Sequence, residues 1–288
     1  MSKRFARNWR RVAALAVLAV LFWCYGTQQN GALGVTRYDL KVQGLPSAFE
    51  GQSIALLTDL HNTTFWPDKQ PLLDMVAQQK PAAILIAGDL VDSYRTDVDL
   101  AIETARRLAE IAPVYFAPGN HEPRLDYDNI RTRLVAVGVT VLDDEIAYLE
   151  CGGQTLPIVG VRDLSFYLRE NNDDKEVALE KMTQTLAGLM AQAGPSALVM
   201  CHRPLLFPEC RAAGAKQVLS GHAHGGQMQL PGGRGLFVPS EGFFARYTQG
   251  LHEEEGARLI ISRGLGNSLF PWRINNPPEI VMVDLTCA

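Results

Sequence analysis

The stretch AAILIAGDLVD, residues 82–92, opens as an unbroken apolar run and closes on a glycine followed by two acids. A run this short, rich in Ile, Leu and Ala, reads as a strand buried on both faces, with its polar groups gathered where the strand stops. Working outward, the same design recurs in SIALLTDLH (53–61), PVYFAPGNHE (113–122), LPIVGVRD (156–163), ALVMCHRP (197–204), QVLSGHAH (217–224) and RLIISRG (258–264). Amphipathic segments of helical spacing lie between the early runs, over 67–80, 96–111 and 126–137, the last followed by Gly138 as a C-cap. Thr96 with Asp99 reads as a capping box. A longer helix is expected from about Asp173 to Ala193, stopped by Gly194 and Pro195. The order β-α-β-α-β, then mainly β, predicts an α/β fold built as two sheets flanked by helices.

Five polar clusters stand out: Asp59-Leu60-His61; Gly88-Asp89-Leu90-Val91-Asp92; Gly119-Asn120-His121-Glu122; His202; and Gly221-His222-Ala223-His224. Five of the six histidines fall in them, and only His252 lies outside. Any one cluster is weak evidence, since a lone histidine at a strand end is more often structural than a ligand. Four begin as an early strand ends, and the fifth follows the run from Gln217. Open α/β sheets gather ligands outside the carboxyl ends of their strands, so all five are expected to meet in one crevice.

In this order the clusters resemble the signature of the calcineurin-like metallophosphoesterase superfamily: D-x-H, GD-x-x-D, GNH[ED], H and GH-x-H, with every element present. The later stretches GGQMQLPG, FVPSEG, ISRGLGNS and PPEI are similar to its bacterial membrane-associated branch, so the likeness covers about residues 35–288. It implies a calcineurin-like sandwich of two mixed β-sheets flanked by α-helices, and two divalent metal ions. Asp59, His61, Asp89 and His224 would hold the first ion. Asp89, Asn120, His202 and His222 would hold the second, with Asp89 bridging. Imidazole nitrogens with carboxylate and amide oxygens, and no thiolate, suit Mn2+, Fe2+ or Fe3+, or Zn2+. Two such ions, about 3.5–4 Å apart, activate a water and clamp the attacking and leaving oxygens of an in-line displacement.

The resemblance gives His121 the role of general acid, or of a charge on the phosphoryl oxygens, and makes Asp92 the carboxylate that orients it. Asp59 and His61, two apart on an extended chain, are expected to point to the same side. Arg203, Arg263 and Asn267 are the candidate substrate contacts, arginine being well shaped for phosphate.

Residues 1–34 carry five basic groups and no acidic one. Without them the chain holds 22 basic against 31 acidic groups, a net charge of −9, so no nucleic-acid partner is expected. The same segment places its basic groups against the apolar run Val12–Cys24, which is shorter than the roughly 20 residues that span a bilayer. It reads as a membrane anchor or signal segment, residues 1–34, ahead of a metallophosphoesterase domain, residues 35–288, held at a bacterial inner membrane. Which side the domain faces stays open, as does the oligomeric state. The five cysteines include no Cys-x-x-Cys pair and are expected to be ordinary apolar residues rather than a metal knuckle or disulfide framework.

The reaction implied is hydrolysis of a phosphodiester or pyrophosphate. A phosphomonoesterase or protein phosphatase would use the same two ions, and a non-catalytic scaffold is the reading from outside enzymology. The branch it resembles includes enzymes that split the pyrophosphate of UDP-2,3-diacylglucosamine. A lipid-linked nucleotide, or another phosphorylated small molecule, is therefore the expected substrate. Phe243, Phe244, Phe270 and Trp272 could supply an apolar surface for acyl chains, or simply pack the core.

Overall fold

The structure, a computed structural model, describes residues 3–65, 70–239, 241–267 and 270–288. Helix α1 (Lys3–Gly31) leads into strand β1 (Gly34–Val42). The early alternation then runs β2 (Ser53–Leu57), α2 (Gln70–Gln79), β3 (Ala83–Ala87), α3 (Val98–Ala109), β4 (Val114–Ala117), α4 (Tyr127–Ala136) and β5 (Val139–Val141). Next come the hairpin β6 (Glu145–Cys151) and β7 (Gln154–Gly160), helices α5 (Leu164–Glu170) and α6 (Lys175–Ala193), β8 (Leu198–Met200), α7 (Phe207–Ala212) and β9 (Gln217–Ser220). A two-stranded ribbon, β10 (Phe237–Val238) and β11 (Gly242–Phe243), precedes β12 (Gly250–Glu254), β13 (Ala257–Ile261) and β14 (Glu279–Cys287).

Two six-stranded sheets result, ordered β1-β14-β2-β3-β4-β5 and β12-β13-β9-β8-β7-β6. Both are mixed. In the first, β2 to β5 run parallel and β14 pairs antiparallel with β2; in the second, β7, β8, β9 and β13 run parallel between two antiparallel edge strands. The expected sandwich of two mixed sheets flanked by helices is therefore observed.

Strand periodicity explains why the runs are apolar throughout. Successive side chains point to opposite faces, so each strand feeds two cores. In β3, Ala83 and Leu85 join the core between the sheets, while Ile84 and Ile86 join the core under α2, α3 and α4. In β13, Ile260 faces the other sheet, and Leu259 and Ile261 face the core beneath α5, α6 and α7. Each of these side chains is fully buried, which stabilises the fold by about 1.5–3 kcal/mol for a leucine or isoleucine.

Local expectations need adjustment. The N-cap of α3 is Asp97, whose carboxylate accepts from the Leu100 N–H, so Thr96 does not form the expected capping box. The longer helix begins at Lys175, after an N-cap at Asp174 that accepts from two backbone N–H groups. The expected start of the 67–80 helix at Pro67 lies outside the described residues. All five cysteines are free as expected, but only Cys201 and Cys210 are buried; Cys24 and Cys287 are exposed.

The N-terminal apolar run, short of a bilayer span by itself, lies within a longer helix, which Tyr25 to Gly31 continue past Cys24. Residues Asn8–Gly31 form one 24-residue helix long and apolar enough to cross a membrane. At 1.5 Å per residue it spans about 36 Å, against a hydrocarbon core of about 30 Å. Its far end is tied to the rest of the chain. Asn30 donates to the Pro271 carbonyl (2.7 Å) and accepts from the Arg273 N–H (2.9 Å), and Tyr25 donates to Asn275 (2.5 Å). Gly26 packs where a Cβ would collide with Trp272.

Candidate metal centre

Strands β2, β3 and β4 from one sheet and β8 and β9 from the other all end at one place. The turns beyond them are stitched by backbone hydrogen bonds: Asp59 N–H to Gly88 O (3.1 Å), His61 N–H to Asp89 O (3.1 Å) and Gly221 N–H to His202 O (3.0 Å). The chain turns so sharply here that Asp59, His61, Asp89, His222 and His224 all take positive φ. A left-handed backbone costs an ordinary residue roughly 1–2 kcal/mol, so this much strain in one cluster points to function. Asp59 and His61 therefore do not share a side by strand alternation, as expected from their spacing. They lie beyond β2, and the turn itself brings both inward. The glycines of the motifs provide clearance: a Cβ on Gly88 would run into the His202 ring, and one on Gly221 into the Asp59 carboxylate.

The structure brings all seven expected ligands together, each buried except half-buried His222. Asp89 is central. Its Oδ2 lies 3.2 Å from His202 Nε2, 3.7 Å from His61 Nε2 and 3.9 Å from His121 Nε2, while its Oδ1 accepts from the His121 N–H (2.9 Å). On one side, His61 Nε2 faces His224 Nε2 at 3.2 Å, and Asp59 Oδ1 lies 3.5 Å from His224 Nε2. On the other, His202 Nε2 lies 3.2 Å from Asn120 Oδ1, and His222 joins Asp89 and His202 in a second potential ligand group.

Electrostatics favour cations at both positions. Burial pushes the pKa of His61 down to about 4 and that of His224 to about 3, and holds His222 well below its usual value, so their lone pairs are free at neutral pH. Burial also opposes charge on His202, but Asp89 outweighs it and raises that group to about 10. Burial would raise Asp89, yet His202, His61 and His121 hold it well below the carboxylate range. A buried carboxylate this hungry for positive charge, beside the neutral imidazoles of His61, His222 and His224, is the setting of a divalent ion, which would take the place of the proton on His202. The donor spacing agrees, since donors on one ion bonded at about 2.0–2.2 Å stand roughly 3–3.5 Å apart.

His121 is held differently from the expectation. The N–H of Ser93 donates to His121 Nδ1 (3.0 Å), and the Ser93 hydroxyl stands at the same distance. Asp92 Oδ1 is 3.7 Å from Nδ1, and its carboxylate instead accepts from Tyr94 N–H, Arg95 N–H and the Arg95 guanidinium. A backbone N–H can only donate, so the proton of neutral His121 sits on Nε2, facing Asp89 and the centre.

Of the expected substrate contacts, Arg203 is bound by buried Asp163 (2.8 and 3.1 Å), with Nη1 3.5 Å from His222 Nε2. Arg263 is paired with buried Glu279 (2.6 Å). Asn267 accepts from Arg273 and donates to the Pro271 carbonyl.

Three supporting residues escaped the sequence reading. Glu122, fully buried, accepts from the N–H groups of Asp89 (3.1 Å), Val91 (3.2 Å) and Gly119 (2.8 Å), clamping two ligand turns together. Burial and Asp89 push its carboxyl up to about 7. Asn276 donates to the carbonyls of His224 (2.7 Å) and Gln227 (3.1 Å). Arg273, buried, donates to the Gly266 and Arg263 carbonyls and stands 3.5 Å from His224 Nδ1. Glu122 could have been found as the fourth position of GNHE; nothing in PWRINNPP marks the other two.

The centre opens into a cleft of about 570 Å³, lined by His61, Asn62, Thr63, Arg95 and Asn267 together with Asn30 and Gly31 at the end of α1. That volume is in the range of small-molecule sites.

Comparison with known proteins agrees with this geometry. The family described as calcineurin-like phosphoesterase matches residues 53–226. Phosphodiesterase YaeI of Escherichia coli is 28% identical over 81% of this chain and 81% of its own length. YpbG of Bacillus subtilis is 26% identical over 95% of this chain and 94% of its own, and the metallophosphoesterase YkuE of the same organism is 26% identical over 87% and 84%.

Proposed function

Given that the chain belongs to the calcineurin-like phosphoesterase family and is a metal-dependent phosphoester hydrolase with two divalent ions, we propose that it is a phosphodiesterase acting on a lipid-linked substrate such as UDP-2,3-diacylglucosamine. The observation that carries the hydrolytic part is the position of Asp89 Oδ2 between His61 and His202, one oxygen placed to serve two cations. Support for the lipid part comes from the cleft, one wall of which is the last turn of the apolar helix α1. An anchor beside the cleft raises the local concentration of a substrate in the same bilayer. The name of the YaeI relative supports the preference for a diester.

In this reading Asp59, His61, Asp89 and His224 hold one ion, and Asp89, Asn120, His202 and His222 the other. The ions, when bound, acidify a water and neutralise charge on the phosphoryl oxygens. Asp89 Oδ1, fixed by the His121 N–H, keeps Oδ2 aimed between the two positions. His121 presents Nε2–H to the leaving oxygen, because Ser93 occupies Nδ1. Asp92 acts through the turn: by gripping Tyr94 N–H and Arg95 it sets the position of Ser93. Arg203 meets a phosphoryl oxygen in this reading, supported by its hold on Asp163 beside His222.

The test is hydrolysis of bis(p-nitrophenyl) phosphate, p-nitrophenyl phosphate and UDP-2,3-diacylglucosamine by purified full-length protein with Mn2+. The expected order of kcat/KM is nucleotide lipid, soluble diester, monoester, with all turnover lost on chelation. A monoester preference would overturn the diester reading, and indifference to the lipid would leave a general phosphodiesterase.

A further inference from the structure

The ribbon β10–β11 and the segment 270–272 carry a line of aromatic rings that the metal centre does not use. Phe243 is 70% exposed, Phe244 43% and Phe237 38%, and Leu230, whose N–H donates to the Arg234 carbonyl, is 42% exposed. The rings touch in sequence: Phe244 to Phe243 (6.4 Å), and Phe243 to Phe237 (5.2 Å). Phe237 and Phe270 then flank an apolar slot of about 240 Å³ completed by Met228, Leu236 and Pro239. Phe270 meets Trp272 (5.7 Å), and Trp272 meets Phe22 (5.7 Å) and Trp23 (5.1 Å) of α1. The line thus begins on the apolar run of the helix and ends on the outer tip of the ribbon.

That continuity fixes where the line starts. Phe22 and Trp23 lie within the apolar run, about 12 Å along the axis from the helix end at Gly31. With the membrane boundary drawn where the run stops, at Cys24, Trp272 sits at the interface, and the line of rings leaves the helix at that level. Aromatic rings concentrate at this level, and exposed apolar patches of this kind mark contact surfaces. Arg234, stacked 4.5 Å over the Phe244 ring, supplies a positive charge beside the rings that suits anionic headgroups.

We propose that the face formed by Leu230, Phe237, Phe243, Phe244, Phe270 and Trp272 rests on the lipid bilayer that α1 enters, and that its occupant is the acyl-chain border of that bilayer. The inference rests on the membrane reading of α1 and deepens the lipid-substrate reading. The slot is lined by Gly226 and Gln227, two and three residues beyond His224, so the face and the centre share one segment of chain. With the face seated, the cleft wall made by Asn30 and Gly31 stands at the headgroup level, where a lipid-borne phosphate would meet it.

The test uses the full chain in vesicles of equal parts phosphatidylcholine and phosphatidylglycerol, with or without mid-chain dibromination of the lipid. Phe243→Trp adds an indole at the tip of the ribbon, and Tyr148→Trp adds one on exposed β6 as a control. The emission added by Phe243→Trp is expected to be mostly lost in brominated vesicles, and that added by Tyr148→Trp to survive. Added emission at 243 that brominated lipid leaves untouched would overturn the proposal; a blue shift that instead follows protein concentration would assign the face to a second copy. In parallel, Phe243→Ser with Phe244→Ser should lower kcat/KM for a vesicle-borne p-nitrophenyl phosphatidyl ester by about tenfold while leaving bis(p-nitrophenyl) phosphate unchanged. Wild-type protein inert on both esters would refute the phosphodiesterase reading alone, since quenching reports the face without turnover.

Discussion

Glu122→Gln isolates the clamp behind the metal centre. The wild-type carboxylate receives three backbone N–H groups inside a fully buried site. A glutamine keeps one oxygen, best directed at the Asp89 and Gly119 donors, and turns its NH2 toward Val91 N–H. One charge-assisted bond of about 1.5–3 kcal/mol is lost, and a buried donor left facing a donor costs about 1–3 kcal/mol more. Part returns as Val91 relaxes, so a stability loss of roughly 2–4 kcal/mol is expected. The two turns that separate carry Asp89 and Asn120, and changes behind metal ligands typically weaken binding by about 10–100-fold. The measurements are urea unfolding of metal-free protein and Mn2+ titration, both at pH 8, above the value of about 7 to which the Glu122 carboxyl is pushed. A variant as stable as wild type that binds Mn2+ equally well would refute the clamp.

Asp89→Asn should strip metal from the protein, because that residue alone lies between both ligand groups, whereas His121→Asn should keep its metal and lower kcat by about 10²–10⁴-fold; metal analysis beside steady-state kinetics separates them. Gly221→Ala should weaken Mn2+ binding although no ligand is replaced, since the new methyl pushes on the Asp59 carboxylate, and isothermal titration reads the loss. Removing residues 1–33 should move the protein from the membrane to the soluble fraction. It should keep turnover of a soluble diester within about tenfold, because the Asn30 contacts to Pro271 and Arg273 are two bonds of about 1 kcal/mol each.

The centre was legible in the sequence because its residues are written as strand-end motifs, and strand ends converge whatever the loops between them do. Asp59, Asp89, Asn120, His202, His222 and His224 fall where the apolar runs predict. Legibility ends where position depends on hydrogen bonds that no pattern encodes. The resemblance puts the Asp92 carboxylate on His121, yet the turn after Asp92 offers the Ser93 N–H first. Arg203 and Arg263 look like free cations in sequence, and only the fold reveals Asp163 and Glu279 beside them. The apolar run Val12–Cys24 shows less than the helix that contains it, because Asn30 finds its partners in residues 271 and 273, which no local pattern encodes.

The position of β14 bears on how the chain acquires its shape. This strand lies between β1 and β2 and pairs with β1 over nine positions from Gly34↔Glu279 to Val42↔Cys287, contacts that span about 245 residues of sequence. Two strands made early in synthesis therefore wait for one made late, each holding an unpaired edge until residue 287 has left the ribosome. Loop closure over such distances slows folding. Strand 279–287 acts as the latch that closes the first sheet.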